Sequence, residues 1–546
     1  MIRPLVLLIM DGWGIAPDIT GNAITKANTP NYNRFLQTYP HGQLQASGEA
    51  VGLPRNEVGN TETGHLNLGA GVIVYQDLPR INMAIADGSF YSNKVFIDAL
   101  THVKQNNSTL HLMGLIGAGG VHANNEHLYA LIMMCRESGW KNLALHLFTD
   151  GRDSPPTVAL EYLRRVQTEL TQHGVGVIAS LMGRYYAMDR DERWERTEVA
   201  YRALVGDPST PIYNNPEEVI QASYQAGITD EFIKPCLIKD QNGQTHPIKA
   251  GDAVIFYNFR IDRPRQLTKA FVYDNFEVEA QISQGFDPFA IRYIKRHIPL
   301  FKSTAKPFIR GKRLENLYFA TMTEYEKNLP AAIAFPPQIV KNPVGRVIAD
   351  HGLRQLRLAE SEKERFVTFY FNGQREMPFV AEDRTIIESL KIPTYDLAPQ
   401  MRTPEITQTL IDKLHENAYD CYIVNFACPD MVGHTGVLAA GIKACEVVDE
   451  SLGKLEQAIK DVHGVMLITA DHGNVEEMVN LQTGGIDTEH SSHPVPFIAV
   501  SSIFEGKNLD LREGILADVA PTIIYLLGIQ QPIEMSGRNL LSDLAI

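Results

Sequence analysis

The stretch CYIVNFACPDMVGH, residues 421–434, joins an apolar run of strand length to a turn that carries an aspartate and, four residues on, a histidine. The same arrangement recurs twice. LVLLIMDGWG, residues 5–14, ends its run at Asp11, and VMLITADHGN, residues 465–474, ends its run at Asp471 and His472. Runs that are apolar at every position, rather than at alternate ones, belong to strands covered on both faces, as in parallel sheets flanked by helices. Further runs at 109–116, 143–148, 175–181, 253–258, 316–321 and 366–371 repeat the pattern. Segments 156–173 and 436–462 carry apolar residues at the three- to four-residue spacing of helices. The sequence therefore predicts an α/β protein with mainly parallel sheets.

Ligands of open α/β sheets bind beyond the carboxyl ends of the strands. Asp11, Asp430, His434, Asp471 and His472 all fall there, and His490 follows in EHSSHPVP with His493 close behind. Carboxylate and imidazole together suit borderline divalent metals such as manganese, zinc or cobalt. Any one of these residues could be a helix cap or turn residue; their recurrence at one topological place points to a metal centre. A hydroxyl lies in GNTETGHLNLGAG, residues 59–71. Alone, Thr61 reads as a helix N-cap; beside a dication it reads as an activated nucleophile. His41, His173, His246, His297, His415 and His463 lack such company and read as surface residues.

A second group also follows the runs. His122 comes after 109–116, Arg152 and Asp153 after 143–148, Arg184 and Arg190 after 175–181, and Arg260 and Arg263 after 253–258. Guanidinium groups grip phosphate and carboxylate bidentately, so this recurrence suits a small polyanion. The chain as a whole has net charge −14, which repels nucleic acid. Its five cysteines are scattered without a CxxC, which excludes a disulfide framework and a zinc knuckle. There is no P-loop and no GxSxG, and GAGGVH puts His122 where a dinucleotide fingerprint requires glycine. With 546 residues, 44% hydrophobic and 21% charged, the composition is that of an ordinary globular protein of two to four domains. The first apolar run stops at Asp11, too short for a signal or a membrane span, so a cytoplasmic protein without membrane partners is expected. The basic stretch within 281–317 reads as a surface loop or hinge, with a lid or partner-binding arm as the alternative.

LIMDGWG, GNTETGHLNLGAG, GGVH, TDGRDSPP, GRYYAMDRDERWER, IFYNFRIDR, ESEK, NFACPDMVGHTG, TADHGN and HPVPF occur in this order from residue 4 to about residue 540. In that order they resemble the cofactor-independent phosphoglycerate mutases of the alkaline phosphatase superfamily. The resemblance implies a discontinuous alkaline-phosphatase-like domain, 1–75 and 335–546, interrupted by an α/β phosphotransferase domain, 76–334. It implies two divalent ions, manganese first, with zinc, cobalt or magnesium as alternatives. One would be held by Asp430, His434 and His490 (His490 rather than His493), the other by Asp11, Asp471, His472 and the Thr61 hydroxyl. The implied substrate groups are His122, Arg152, Asp153, Arg184, Arg190, Arg260, Arg263 and Lys363, the last of which spacing does not reveal.

The implied reaction interconverts 3-phosphoglycerate and 2-phosphoglycerate in glycolysis and gluconeogenesis, without 2,3-bisphosphoglycerate. It would pass through a phosphothreonine on Thr61, with Lys363 stabilising charge and Asp153 moving protons, in a monomer. Two departures stand out. The serine usual in the family's GNSEVGH is Thr61 here, and its SDGGVH is GAGGVH. The alternative readings are a phosphomonoesterase or a mutase for another sugar phosphate on the same centre, against which the density of arginines argues for a retained acceptor, and a non-catalytic binding protein descended from the enzyme, against which the complete ligand set speaks.

Overall fold

The computed structural model describes residues 3–17, 20–281, 305–480, 482–507 and 509–544. The chain divides into two compact units, one of Met1–Pro79 with Gln338–Ile546 and the other of Arg80–Pro337.

The first unit is built on an eight-stranded sheet. Its order is Glu382–Ile387, Gln355–Glu360, Cys421–Phe426, Leu5–Met10, Val465–Thr469, Val495–Val500, His41–Gln45 and Gly514–Ile515. Leu5–Met10 runs parallel to both neighbours, with Leu5 opposite Cys421 and Val465, and Met10 opposite Phe426. Every residue of these three strands is buried, which is why their sequences are almost wholly apolar, Asn425 and Thr469 excepted. Because the register is in step, the strands end level and deliver Asp11, the turn before Asp430, and Asp471 to one edge of the sheet. Val495–Val500 returns antiparallel to Val465–Thr469 and brings the segment after His490 back to the same sheet. The 24-residue helix Leu438–Asp461 buries Ala440, Ala444, Val448, Leu452, Leu455 and Ile459, a single stripe, against Thr403–His415 and Cys428–Gly433.

The second unit repeats the plan. Its sheet runs Ala332–Phe335, Tyr318–Thr323, Ala253–Phe256, Leu110–Ile116, Leu143–Thr149, Val177–Gly183, Cys236–Ile238 and Ile212–Tyr213. All pairs are parallel except Val177–Gly183 with Cys236–Ile238. Ile116 lies opposite Thr149, and Thr149 opposite Gly183, so these strands also end level. Three of its buried strands share a polar seam in which Asp252, His111, His146 and Ser180 are linked by bonds of 3.1, 2.9 and 2.7 Å.

The run at 366–371 is not the expected strand. Phe366–Tyr370 is a single wide helical turn in which the Phe371 N–H donates to the Phe366 carbonyl. A short apolar run does not distinguish a strand from a buried helical turn. The sheet position belongs instead to Gln355–Glu360, whose Arg357 and Glu360 are buried charges that broke the expected pattern. Of the basic stretch, residues 282–304 lie outside the described residues. Its last part is docked rather than solvated: Phe308 packs on Tyr201 and Phe276, and Arg310 donates to the carbonyls of Ala270, Tyr273 and Asp274 at the end of helix Arg265–Val272. Among the described residues no helix is long and apolar enough to cross a membrane.

Leu8 is fully buried in the middle strand of the first unit. Leu8→Ala is expected to cost about 2–5 kcal/mol in urea unfolding monitored by far-ultraviolet circular dichroism.

Candidate active site

At the carboxyl edge of the first sheet, two of three buried carboxylates meet one ammonium. Lys363, on the turn Ser361–Lys363 after strand Gln355–Glu360, donates from Nζ to Asp11 Oδ1 (2.7 Å) and Asp430 Oδ2 (2.7 Å). The same Nζ reaches Thr61 Oγ1 at 3.3 Å. Thr61 is the first residue of helix Thr61–Ala70, and the Asn60 side chain caps that helix by accepting from the Thr63 N–H. Its hydroxyl thus sits at the positive end of a helix, where developing negative charge is favoured. Thr61 Oγ1 is also 2.8 Å from His472 Nε2.

The imidazoles share one arrangement. Nδ1 of His434 rests on the Thr488 carbonyl (2.7 Å), that of His490 on the Gly59 carbonyl (2.9 Å), and that of His472 on the Gly473 carbonyl (3.2 Å). A backbone carbonyl at Nδ1 fixes the proton there and leaves Nε2 to bind, as metal-ligating histidines require. Nε2 of His434 and Nε2 of His490 face each other at 3.1 Å, and lie 3.3 and 3.2 Å from Asp430 Oδ1. That geometry calls for a cation between them, either a proton on one ring or a metal ion in its place. One ligand atom from each of Asp430, His472 and His490 lies within 4.8 Å of the others, and the same holds for Asp11, His65 and Asp471. His493 stands apart, paired with Glu477 at 3.2 Å.

The charges are strongly coupled to this setting. Burial and the neighbouring Asp471 push the Asp11 carboxyl up to about 7, against the pull of Lys363. Burial also opposes ionisation of Asp430 and Asp471, but it is outweighed. Lys363 with His434 and His490 holds Asp430 well below the usual range, and His472 with His65 does the same for Asp471. Burial works against the Lys363 ammonium too, yet Asp11 and Asp430 keep its pKa above the usual value. Burial drives His472 down to about 4, so its ring is neutral and able to ligate. The donor set therefore fits divalent ions held by carboxylate oxygen and imidazole nitrogen.

In the second unit, the residues after the strand ends gather around Arg184, whose side chain is 2% exposed. Arg184 donates to Asp153 Oδ2 (2.5 Å) and to Asp150, whose carboxylate also accepts from the backbone of Arg152 and Asp153. His122 Nε2 is 3.6 Å from Asp153, and its Nδ1 is 3.8 Å from Asp262. Asp262 pairs with Arg190 (2.7 Å) and Arg260 (3.3 Å). The Arg263 guanidinium donates to the Met188 carbonyl, and its pKa is lowered first by burial and then by Arg184, Arg190 and Arg152. Arg263 thus lies among guanidinium groups that disfavour one another's charge, beside a neutral imidazole, a donor set that suits an anion. His122 is neutral because burial and Arg184 pull its pKa to about 4.

Apart from His493, the candidate site residues singled out in the sequence thus fall into two clusters, one in each unit. His41, His173 and His246 are part-exposed and His415 and His463 exposed, while His297 lies outside the described residues. Sequence reading overlooked His65, Asn425, Asn474, Asp150 and Asp262. His65 is one helical turn from Thr61 and touches Asp471 (3.1 Å) and Asn425 (3.1 Å), and Asn425 donates to Asp11 (2.7 Å). The i, i+4 spacing from Thr61 was the available signal.

Residues 81–327 match the family described as BPG-independent PGAM N-terminus. A 2,3-bisphosphoglycerate-independent phosphoglycerate mutase of Moorella thermoacetica is 48% identical over 539 residues, covering 99% of this chain and 98% of that protein. The protein of that name from Thermomicrobium roseum is 48% identical over 547 residues, 99% of each. Among solved structures, Leishmania mexicana phosphoglycerate mutase at low cobalt concentration aligns over 99% of this chain and 98% of its own, with 29% identity and a TM-score of 0.54.

Two outcomes follow from the geometry. Asp430→Asn should weaken divalent-ion binding by at least about 10-fold, measured by equilibrium dialysis and elemental analysis, since it removes the carboxylate shared by His434 and His490. In an NMR titration, the His122 ring should take up its proton near pH 4 rather than 6.5. Protonation then favours the unfolded chain. The contribution of His122 to stability is full above about 6.5 and should be lost as the pH falls from there toward 4.

Proposed function

The chain belongs to the cofactor-independent phosphoglycerate mutases, an isomerase family, and on that premise we propose that it interconverts 3-phosphoglycerate and 2-phosphoglycerate through a phosphothreonine on Thr61. The observation that carries this reading is the Thr61 hydroxyl, set at a helix N-terminus within reach of both His472 Nε2 and Lys363 Nζ. In the forward direction Thr61 Oγ1 bonds to phosphorus as the bond from phosphorus to the substrate oxygen breaks. Thr61 gives up its hydroxyl proton as the freed glycerate oxygen takes one up, and when the other glycerate hydroxyl accepts the phosphoryl group it gives up a proton while the Thr61 oxygen regains one.

Asp430, His434 and His490 would hold one divalent ion, and Asp11, Asp471, His472 and the Thr61 oxygen the other. Such ions, manganese first in our reading, lower the pKa of a bound alcohol and offset phosphoryl charge. Lys363 stays protonated between Asp11 and Asp430 and lends positive charge where charge builds on the transferred group. Burial opposes ionisation of Asp153, but Arg184 outweighs it and keeps the group a carboxylate, fit to take the proton from the attacking glycerate hydroxyl. Arg152, Arg184, Arg190, Arg260 and Arg263 with neutral His122 would retain the glycerate, whose escape would turn the mutase into a phosphatase.

We assign the metal-binding domain to the first unit and the phosphotransferase domain to the second. We also infer a monomer at work in the cytoplasm; five unpaired, buried cysteines support a reducing compartment.

Thr61→Ala should lower mutase turnover by about 10³-fold or more while leaving the unfolding transition in place, whereas Thr61→Ser should keep activity. Acid quenching of the wild type with 3-phosphoglycerate should trap phosphate on Thr61. Mapping it by mass spectrometry to another residue, or finding full activity in Thr61→Ala, removes Thr61 from the reaction. Chelation with EDTA should abolish activity and manganese should restore it.

A further inference from the structure

Glu476 is fully buried next to the metal-ligand cluster, and neither the sequence reading nor the proposed reaction gives it a role. Its Oε2 accepts from the backbone N–H of Gly14 (3.0 Å) and of Asn474 (2.8 Å), and its Oε1 from the Ser491 hydroxyl. Gly14 is three residues beyond Asp11, Asn474 two beyond His472, and Ser491 next to His490. Asn474 in turn donates from Nδ2 to Asp430 Oδ1 (2.9 Å), and the Ser491 N–H donates to the Gly473 carbonyl (3.0 Å). One carboxylate therefore ties its own segment, which carries His472, to the Ser491 segment 15 residues on and to the Gly14 segment 462 residues away, and each carries a residue of the candidate centre.

The fit is close enough to dictate sequence. A Cβ at Gly14 would overlap the Glu476 carboxylate, and one at Gly473 would overlap both that carboxylate and Ser491 Oγ. A side chain at the second glycine of MDGWG or at the glycine of ADHGN would thus displace the Glu476 carboxylate from its partners. A carboxylate buried this completely is costly unless its oxygens are occupied, and here N–H and O–H donors occupy them.

We propose that Glu476 is a positioning residue whose buried carboxylate sets the spacing between the segments carrying Asp11, His472 and His490 and, through Asn474, the orientation of Asp430. The inference rests on the metal centre proposed above. Residues that orient metal ligands are typically worth about 10–100-fold in metal affinity.

The test titrates Mn2+ into the metal-free full chain, followed by electron paramagnetic resonance, with urea unfolding alongside. Glu476→Ala is expected to bind Mn2+ about 10–100-fold more weakly while still unfolding cooperatively. Glu476→Gln can accept the same two N–H bonds and turn its amide toward Ser491 Oγ, so its affinity should stay within about threefold of the wild type. Ser491→Ala removes one donor and should lose about 3–10-fold, which decides the matter if Glu476→Ala does not fold. Unchanged affinity in Glu476→Ala, or in Ser491→Ala where the former does not fold, overturns the positioning role and leaves the metal centre standing. So does a loss in Glu476→Gln as deep as in Glu476→Ala, because charge and not spacing would then be at work. A wild-type chain that binds no Mn2+ overturns the metal centre and this inference together.

Discussion

Asp11, Asp430 and Asp471 are held out of water within a few ångströms of one another, and Lys363 is the ammonium that meets the first two. Bringing ionised groups out of water costs several kcal/mol for each, so such a cluster persists only where the backbone leaves the groups no alternative position. The in-step register of Leu5–Met10 with Cys421–Phe426 and Val465–Thr469 supplies that compulsion. Sheet hydrogen bonds and apolar burial hold the three strand ends level. The excess negative charge gathered there draws positive charge, from Lys363, from His434 and His490, and from any divalent ion that binds.

Much of this was legible in the sequence because it lies on the strands of simplest character. Runs buried on both faces announce themselves as unbroken apolar stretches, and the residues that follow them are where ligands bind. What stayed hidden breaks that pattern for physical reasons. Gln355–Glu360 carries Arg357 and Glu360 into the interior, and His41–Gln45 is mostly polar and buries only Leu44, so neither looks like a core strand. Phe366–Tyr370 has the composition of a strand but forms a helical turn that buries Val367, Thr368 and Phe369 and sets Phe366 against His65 and Lys363. Lys363 follows a strand the periodicity does not show, which is why only family resemblance pointed to it. The i, i+4 spacing of His65 from Thr61 is a local signal, but its contact with Asp471, that of Asn425 with Asp11 and that of Glu476 with Gly14 join residues far apart in the chain, and no spacing rule records those.

The two clusters solve opposite electrostatic problems with the same device. In the first unit, carboxylates dominate and one lysine tempers them. In the second, guanidinium groups dominate and Asp150, Asp153 and Asp262 temper them, with His122 kept neutral so that it adds no further charge. In each case the minority charge fixes the majority in place before a ligand arrives, which lowers the ordering cost of binding. Threonine at position 61 fits the same economy of motion, since its branched β-carbon restricts the rotation of the hydroxyl it presents.

The placement of Leu5–Met10 also bears on how the molecule comes into being. This fully apolar strand is made before Arg80–Pro337, yet its partners Cys421–Phe426 and Val465–Thr469 are made only after the whole of that unit. At common elongation rates it waits roughly tens of seconds for them. The intervening unit is continuous in sequence and can complete its own sheet during that interval, whereas the outer one closes last through its most distant pairings. During synthesis a nascent chain of this kind leaves that sticky strand exposed, which makes shielding by a chaperone most valuable until Cys421–Phe426 and Val465–Thr469 have been translated.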